Sequence, residues 1–143
     1  MNRPRRAIET CLELRQILIE FVFRTTPTHR KNQAAQAAHW DPRVYAAVAL
    51  HPTRANALDD EARDTLERLA TDPRVVAVGE TGIDRYWPGR LEGCATPDRQ
   101  RDAFAWHIDL AKRTGKPLMI HNRDGDDDVL DVLRAEGAPE IVI

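Results

Sequence analysis

Three short segments of the chain place a histidine or a glutamate directly after an apolar run that is typical of a buried strand. The residues are His51, Glu80 and His121. Parallel strands buried on both faces appear as continuous apolar runs, and reactive groups of α/β folds collect beyond the carboxyl ends of such strands. Imidazole and carboxylate groups together suit a divalent metal such as zinc. We therefore expect the three side chains to converge on one metal site.

Each of these residues also has an ordinary structural interpretation when it is taken alone. Glu80 could be a solvated loop residue, His51 a turn histidine, and His121 a hydrogen-bonded residue at the end of its strand. As functional groups, Glu80 could be a ligand or a base, and His51 a ligand or a phosphate contact. The metal-site interpretation therefore depends on the three residues meeting in space.

Charged residues close to these three could assist them. Arg123 could hold a phosphate through two parallel hydrogen bonds, or it could pair with Asp124 on the surface. Asp84 could orient a metal ligand, or it could be an ordinary turn residue. The acidic run at residues 126–128 begins a predicted helix, where negative charge favours the positive end of the helix dipole, so we interpret it as structural.

For the other residues of interest we prefer a structural role to a functional one. Tyr86 and Trp87 lie in a loop rich in Gly and Pro, and could stack on a base or pack the loop onto the fold. We favour packing. His107 falls within a predicted helix, and we expect it to be packed or partly exposed.

Composition describes a globular protein of 143 residues, which fits one domain. The net charge of −2 gives no global attraction to nucleic acid, so any phosphate contact must be local. Cys11 and Cys94 form no metal or disulfide pattern, which fits a reducing compartment, and we expect a cytoplasmic protein. No apolar stretch is long enough to span a membrane.

The order of predicted elements indicates a parallel sheet with right-handed crossovers. Helical spacing predicts helices over residues 8–21, 32–40, 59–70, 97–114 and 126–136, and apolar runs predict strands at 44–50, 75–78, 117–120 and 141–143. Residues 80–97 are predicted to form a loop. Because the chain ends inside an apolar strand, we expect it to be part of a larger α/β fold.

Over residues 33–143 the chain resembles the TatD family of metal-dependent deoxyribonucleases, which are amidohydrolase-like TIM barrels. The resemblance rests on three segments taken together and in order, at residues 44–52, 75–84 and 115–124. Gln100, Phe104 and residues 110–112 fit the helix between the last two segments.

The resemblance implies a two-metal hydrolase that cleaves phosphodiester bonds of DNA with a metal-activated water. On this basis Glu80 would bridge or bind the metals, His121 would bind one of them, and His51 would lie near the substrate phosphate. Apart from the resemblance, we expect from the residues themselves that Arg123 contacts substrate and that Asp84 and Asp124 orient the ligands. The cofactor would be a divalent ion: magnesium, zinc or manganese.

The chain also departs from the family pattern. Residues 1–32 lack the His-x-His motif that opens the family, and further family ligands would come after Ile143. We therefore predict an atypical helical segment over residues 1–32 and an incomplete barrel domain over residues 33–143. The predicted fold class is α/β: a partial TIM barrel of about four parallel strands with an N-terminal helix, whereas a complete barrel has eight strands in about 250 residues.

An incomplete barrel leaves strand edges unpaired, so we expect self-association through those edges and little activity. The alternative is a non-catalytic fragment or binding module that retains the half-barrel. A third hypothesis is an unrelated α/β enzyme, although the sequence contains no G-x-G-x-x-G or P-loop motif.

Overall fold

A computed structural model of the chain describes residues 17–22 and 33–143. The strands are β1 Ile17–Val22, β2 Val44–Ala49, β3 Val75–Asp84 and β4 Leu118–Arg123. The α-helices are α1 Gln33–Trp40, α2 Asp60–Ala70, α3 Pro97–Thr114 and α4 Asp126–Glu136, and a 3₁₀ helix spans Pro52–Ala57. Among these helices, none combines the length and the apolar character needed to cross a membrane.

The strands form one sheet in the order β1-β2-β3-β4, and every neighbouring pair is parallel. Beyond β4, Val142 forms a parallel bridge with Leu118, so the last residues begin a further position of the sheet. The described sheet is not closed. The predicted α/β fold with a partial barrel is therefore confirmed.

The helix predicted over residues 8–21 is wrong where the structure describes it. Residues 17–22 form β1, which pairs in parallel with β2 from Ile17 opposite Val44 to Val22 opposite Ala49. The run ILIEFV is rich in β-branched and aromatic residues, which favour strands, and a short apolar run cannot be assigned by spacing alone. Residues 8–16 lie outside the described residues, and the division of the chain at residue 32 stays a prediction.

Two strands continue past the polar residues at which the sequence analysis ended them. β3 extends to Asp84 and β4 to Arg123, and these two residues are paired with each other across the sheet. The loop predicted from residue 80 therefore begins only after Asp84. The reason is that the backbone keeps its strand pairing where the side chains change from apolar to polar. The register shifts between Val78 and Thr81, next to Glu80.

Helices pack a dense apolar layer against the sheet. Leu66 of α2, Phe104 and Ile108 of α3, and Leu118 of β4 are fully buried. The predicted start of α3 is confirmed, because the Thr96 hydroxyl accepts a hydrogen bond from the Arg99 N–H at 3.4 Å. Burial of these side chains fixes the strands that carry the polar residues described next.

Candidate metal centre

His51, Glu80 and His121 lie together, and each offers a ligand atom within 4.8 Å of those of the other two. His51 follows β2, Glu80 lies in β3 and His121 lies in β4. Close approach of β3 and β4 requires a glycine before Glu80, because a Cβ at Gly79 would lie 2.3 Å from the Met119 Cβ. The convergence expected from the sequence is thus present in the fold, while the chemical roles of the three residues stay predictions.

His121 lies between two carboxylates. Its Nδ1 is 2.6 Å from Glu80 Oε1, and its Nε2 is 2.9 Å from Asp84 Oδ2. A neutral imidazole carries a single N–H, so it can donate to only one of these carboxylates. When Nε2–H donates to Asp84, the lone pair of Nδ1 faces the Glu80 oxygen. Nδ1 of His121 and Oε1 of Glu80 are then both acceptors, so a proton or a metal ion is required between them.

Asp84 is fixed in a way that suits a residue orienting a ligand. Its side chain is 1% exposed, and its Oδ1 accepts hydrogen bonds from the backbone N–H groups of Tyr86 and Trp87, each at 2.9 Å. The backbone N–H of Asp84 donates to Gln100 Oε1 at 2.7 Å. A carboxylate that holds the second nitrogen of a metal-binding histidine selects its tautomer and ring orientation.

His51 is held beside His121 by its own hydrogen bonds and ring contact. Its Nδ1 is 2.8 Å from the Thr53 hydroxyl oxygen, and its ring meets the His121 ring edge-on at 4.4 Å between centroids. Burial lowers the pKa of His51 and the nearby His121 lowers it further, against the opposing charges of Glu80 and Asp84. This direction favours the neutral imidazole, which is the form that binds metal.

The donor set fits a divalent ion. Catalytic zinc sites use three protein ligands and leave one position for water or substrate. His51, Glu80 and His121 supply that number of donors from the described part of the chain. Imidazole nitrogen suits zinc, and carboxylate oxygen also suits magnesium and manganese, so the donors alone do not select one metal.

Two residues predicted to serve this site are placed differently from the ligands. Asp124 is exposed and adopts a φ of 56°. It lies in the turn that leads from β4 into α4, and its role in orienting ligands stays a prediction. Arg123 is exposed and lies over the Tyr86 ring, 3.8 Å from the ring centroid, rather than paired with Asp124.

His107 is a residue whose importance the sequence analysis missed. It is fully buried, and its Nε2 accepts a hydrogen bond from the Leu50 N–H at 3.2 Å. Its Nδ1 lies 2.7 Å from the Ala103 carbonyl oxygen and 3.1 Å from the Thr81 hydroxyl. His107 thus connects the residue before His51 to the residue after Glu80. Burial lowers its pKa to about 4, and the positive charge of Arg63 adds to this effect.

The sequence does contain a signal for His107. Gln100 and His107 are seven residues apart on α3 and therefore share the face that carries Phe104 and Ala111. Polar residues on the apolar face of a helix need partners, because a buried polar group without one is costly. That pattern predicts polar contacts within the core, although it does not identify the partners.

The open parallel sheet, with a His–Glu–His cluster toward the carboxyl ends of its strands, forms a partial (β/α) barrel with a candidate metal centre where such barrels place their active sites. Comparison with known proteins agrees. Residues 2–143 match the family described as TatD related DNase, and the chain belongs to that family. The match begins well before residue 33, where the resemblance in the sequence analysis started.

Relatives of known sequence support the same assignment. An uncharacterized metal-dependent hydrolase TatD of Mycobacterium tuberculosis is 80% identical over 108 residues, which are 76% of this chain and 41% of that protein. A 3′-5′ ssDNA/RNA exonuclease TatD of Enterobacter lignolyticus is 31% identical over 69% of this chain and 36% of its own length. The chain therefore spans well under half the length of these relatives.

A solved structure supports the fold. The TatD homologue YJJV of Escherichia coli K12 superposes with a TM-score of 0.71 at 24% identity, over 88% of this chain and 46% of that one. At this identity the likeness establishes the fold alone.

Proposed function

We propose that this chain forms the metal-binding part of a hydrolase that cleaves phosphodiester bonds of single-stranded nucleic acid. The observation that carries the proposal is His121 held between Glu80 and Asp84, with His51 beside it. Membership of the TatD related DNase family supports the reaction class. The exonuclease of Enterobacter lignolyticus, which is described as acting on ssDNA and RNA, supports the substrate class.

Each residue of the candidate metal centre has its own proposed role. Glu80 and His121 hold the ion, and Asp84 accepts the Nε2–H of His121 so that Nδ1 keeps its lone pair for binding. His51, whose Nδ1 is engaged by Thr53, presents Nε2 as a third ligand or as a contact to the substrate phosphate. A bound divalent ion supplies positive charge for a phosphate oxygen and makes water more acidic.

A second candidate is a binding module or fragment that holds metal without catalysis. Two observations favour it: the sheet is open, and the described residues supply only three donors for a metal. The reaction that the family resemblance implies uses two metals, which need more ligands than these three. The two candidates make the same prediction for metal binding and opposite predictions for hydrolysis.

The test pairs a binding measurement with an activity measurement. Calorimetric titration with Zn²⁺ and Mn²⁺ is compared between the wild type, Glu80→Gln and the control Glu92→Gln, which changes an exposed glutamate of the loop. Removing a ligand should weaken metal binding by more than the roughly 10- to 100-fold that follows loss of an orienting residue. The control should bind like the wild type.

Hydrolysis of a labelled single-stranded oligonucleotide in the presence of each metal completes the test. Metal-dependent hydrolysis that Glu80→Gln abolishes supports the proposed function. Metal binding without hydrolysis favours the second candidate. Equal metal affinity of the wild type and Glu80→Gln contradicts both candidate functions, because each of them requires Glu80 as a ligand of the metal.

A further inference from the structure

A cluster of two arginines and two aromatic residues lies beside the candidate metal centre. The Arg123 guanidinium carbon is 3.8 Å from the centroid of the Tyr86 ring and 5.7 Å from that of the Trp87 ring. The Arg90 guanidinium carbon is 4.8 Å from the same Tyr86 centroid. These distances fall within the roughly 6 Å limit for cation–π attraction. The guanidinium groups of Arg90 and Arg123 therefore both lie against the ring of Tyr86.

The two arginines of this arginine–aromatic cluster differ from the neighbouring arginines in their ion pairing. Nearby Arg85 and Arg101 share the carboxylate of Asp128, with closest contacts of 2.5 and 2.6 Å. In the part of the chain that the structure describes, neither Arg90 nor Arg123 has a carboxylate partner. An aromatic ring fixes a guanidinium without neutralising it. Nη1 of Arg90 donates to the Tyr86 carbonyl oxygen at 2.7 Å, and the remaining N–H groups of the two guanidiniums can bind an anion.

The cluster is tied to the metal centre through Asp84. One oxygen of this carboxylate holds His121, and the other accepts the backbone N–H groups of Tyr86 and Trp87. Arg123 follows His121 by two residues on β4, so both project from the same face, with their Cα atoms about 7 Å apart. A strand with one phosphate at the metal centre would bring its neighbouring phosphate to the arginines.

We propose that Arg90 and Arg123, stacked on Tyr86, bind a backbone phosphate of the nucleic acid strand next to the phosphate that is cleaved. This inference rests on the proposed function for its ligand. Planar guanidinium groups bind phosphate oxygens through paired N–H bonds. Such contacts position a strand without reading its sequence. On this basis the aromatic pair serves as a platform for the arginines as well as packing its loop.

The experiment measures oligonucleotide binding without metal. Fluorescence anisotropy of a fluorescein-labelled oligothymidylate is followed in EDTA over a range of salt concentrations, for the wild type, Arg90→Gln, Arg123→Gln and the double variant. The slope of log affinity against log salt should be smaller in magnitude by about 0.7 in the double variant, because the two arginines together neutralise one phosphate of a single strand. The matched control is Arg134→Gln, which removes the same charge from an exposed residue of α4 and should leave the slope unchanged.

A further pair of variants separates charge from geometry. Arg123→Lys and Arg90→Lys keep the charge but lose the planar guanidinium, so they should keep the wild-type slope while affinity falls several-fold. Should the double glutamine variant fail to fold, Arg90→Gln on the exposed loop carries the test alone, with an affinity and a salt slope both below those of the wild type.

Two results overturn the inference: a wild type that does not bind the oligonucleotide, or glutamine variants with the wild-type slope and affinity. Metal titration keeps this outcome separate from that of the proposed function. The arginine variants should bind Zn²⁺ like the wild type. Glu80→Gln should bind the oligonucleotide in EDTA at least as well as the wild type while losing its affinity for metal.

Discussion

Lowering the pH should destabilise the fold through His107, the buried histidine that joins the ends of β2 and β3. Burial lowers its pKa from the ordinary 6.5 to about 4 in the folded chain, and Arg63 contributes in the same direction. Between these two values the unfolded chain binds a proton that the folded chain does not bind. The stabilisation is therefore fully present above about pH 6.5 and is lost as the pH falls to about 4.

The size of the effect follows from the same two values. Each pKa unit corresponds to about 1.4 kcal/mol, so the change from 6.5 to about 4 corresponds to about 3 kcal/mol. Structurally, a proton on Nε2 would remove the acceptor of the Leu50 N–H and place a charge in a fully buried site. An effect of this size is a large fraction of the 5–15 kcal/mol that is typical of a domain.

The assay is urea unfolding at about pH 7 and about pH 4. Tryptophan fluorescence is a suitable signal because the Trp106 ring lies 5.0 Å from the His107 ring. The variant His107→Gln does not titrate, so it should lose about 3 kcal/mol less than the wild type between the two pH values. His39→Gln is the control, since His39 is exposed and its ion pair with Asp72 contributes about 1 kcal/mol or less. Equal losses in the wild type and His107→Gln would show that protonation of His107 does not cause the loss of stability.

Three further outcomes are expected. Leu66→Ala, at a fully buried position, should lower the free energy of unfolding by about 2–5 kcal/mol in urea titrations, whereas Leu130→Ala, which is 46% exposed, should change it by about 0.5 kcal/mol. Gly79→Ala should cost about 1–3 kcal/mol and weaken Zn²⁺ binding in calorimetry, because its Cβ would meet Met119 and push apart the strands that carry Glu80 and His121. Size-exclusion chromatography should show self-association through the open sheet edges, and a compact monomer would contradict that expectation.

The sequence was sufficient where a feature depends on local chemistry. The buried strands at the centre of the sheet appear as apolar runs, and α3 is bounded by Thr96 and Gly115, whose capping roles depend only on neighbouring residues. The convergence of His51, Glu80 and His121 followed from one topological rule: the carboxyl ends of parallel strands meet at one edge of the sheet.

Features that depend on contacts distant in the sequence were missed. β1 was predicted as a helix because spacing alone cannot assign a short apolar run, and its pairing with β2 is a contact distant in the sequence. His107 lies 57 residues from Leu50, so its hydrogen bond to that residue could not be anticipated. The stacking of Arg123 on Tyr86 likewise depends on β3 and β4 ending side by side.

Glu80 and His121 are proposed to bind the same ion. The decisive experiment is to grow crystals of the chain with Zn²⁺ and to collect diffraction data at the zinc absorption edge. We expect one strong anomalous peak in contact with the Glu80 carboxylate and with Nδ1 of His121, with Asp84 still bonded to Nε2. A peak elsewhere, or a Glu80–His121 hydrogen bond that persists at saturating Zn²⁺, would show that the two residues do not share an ion.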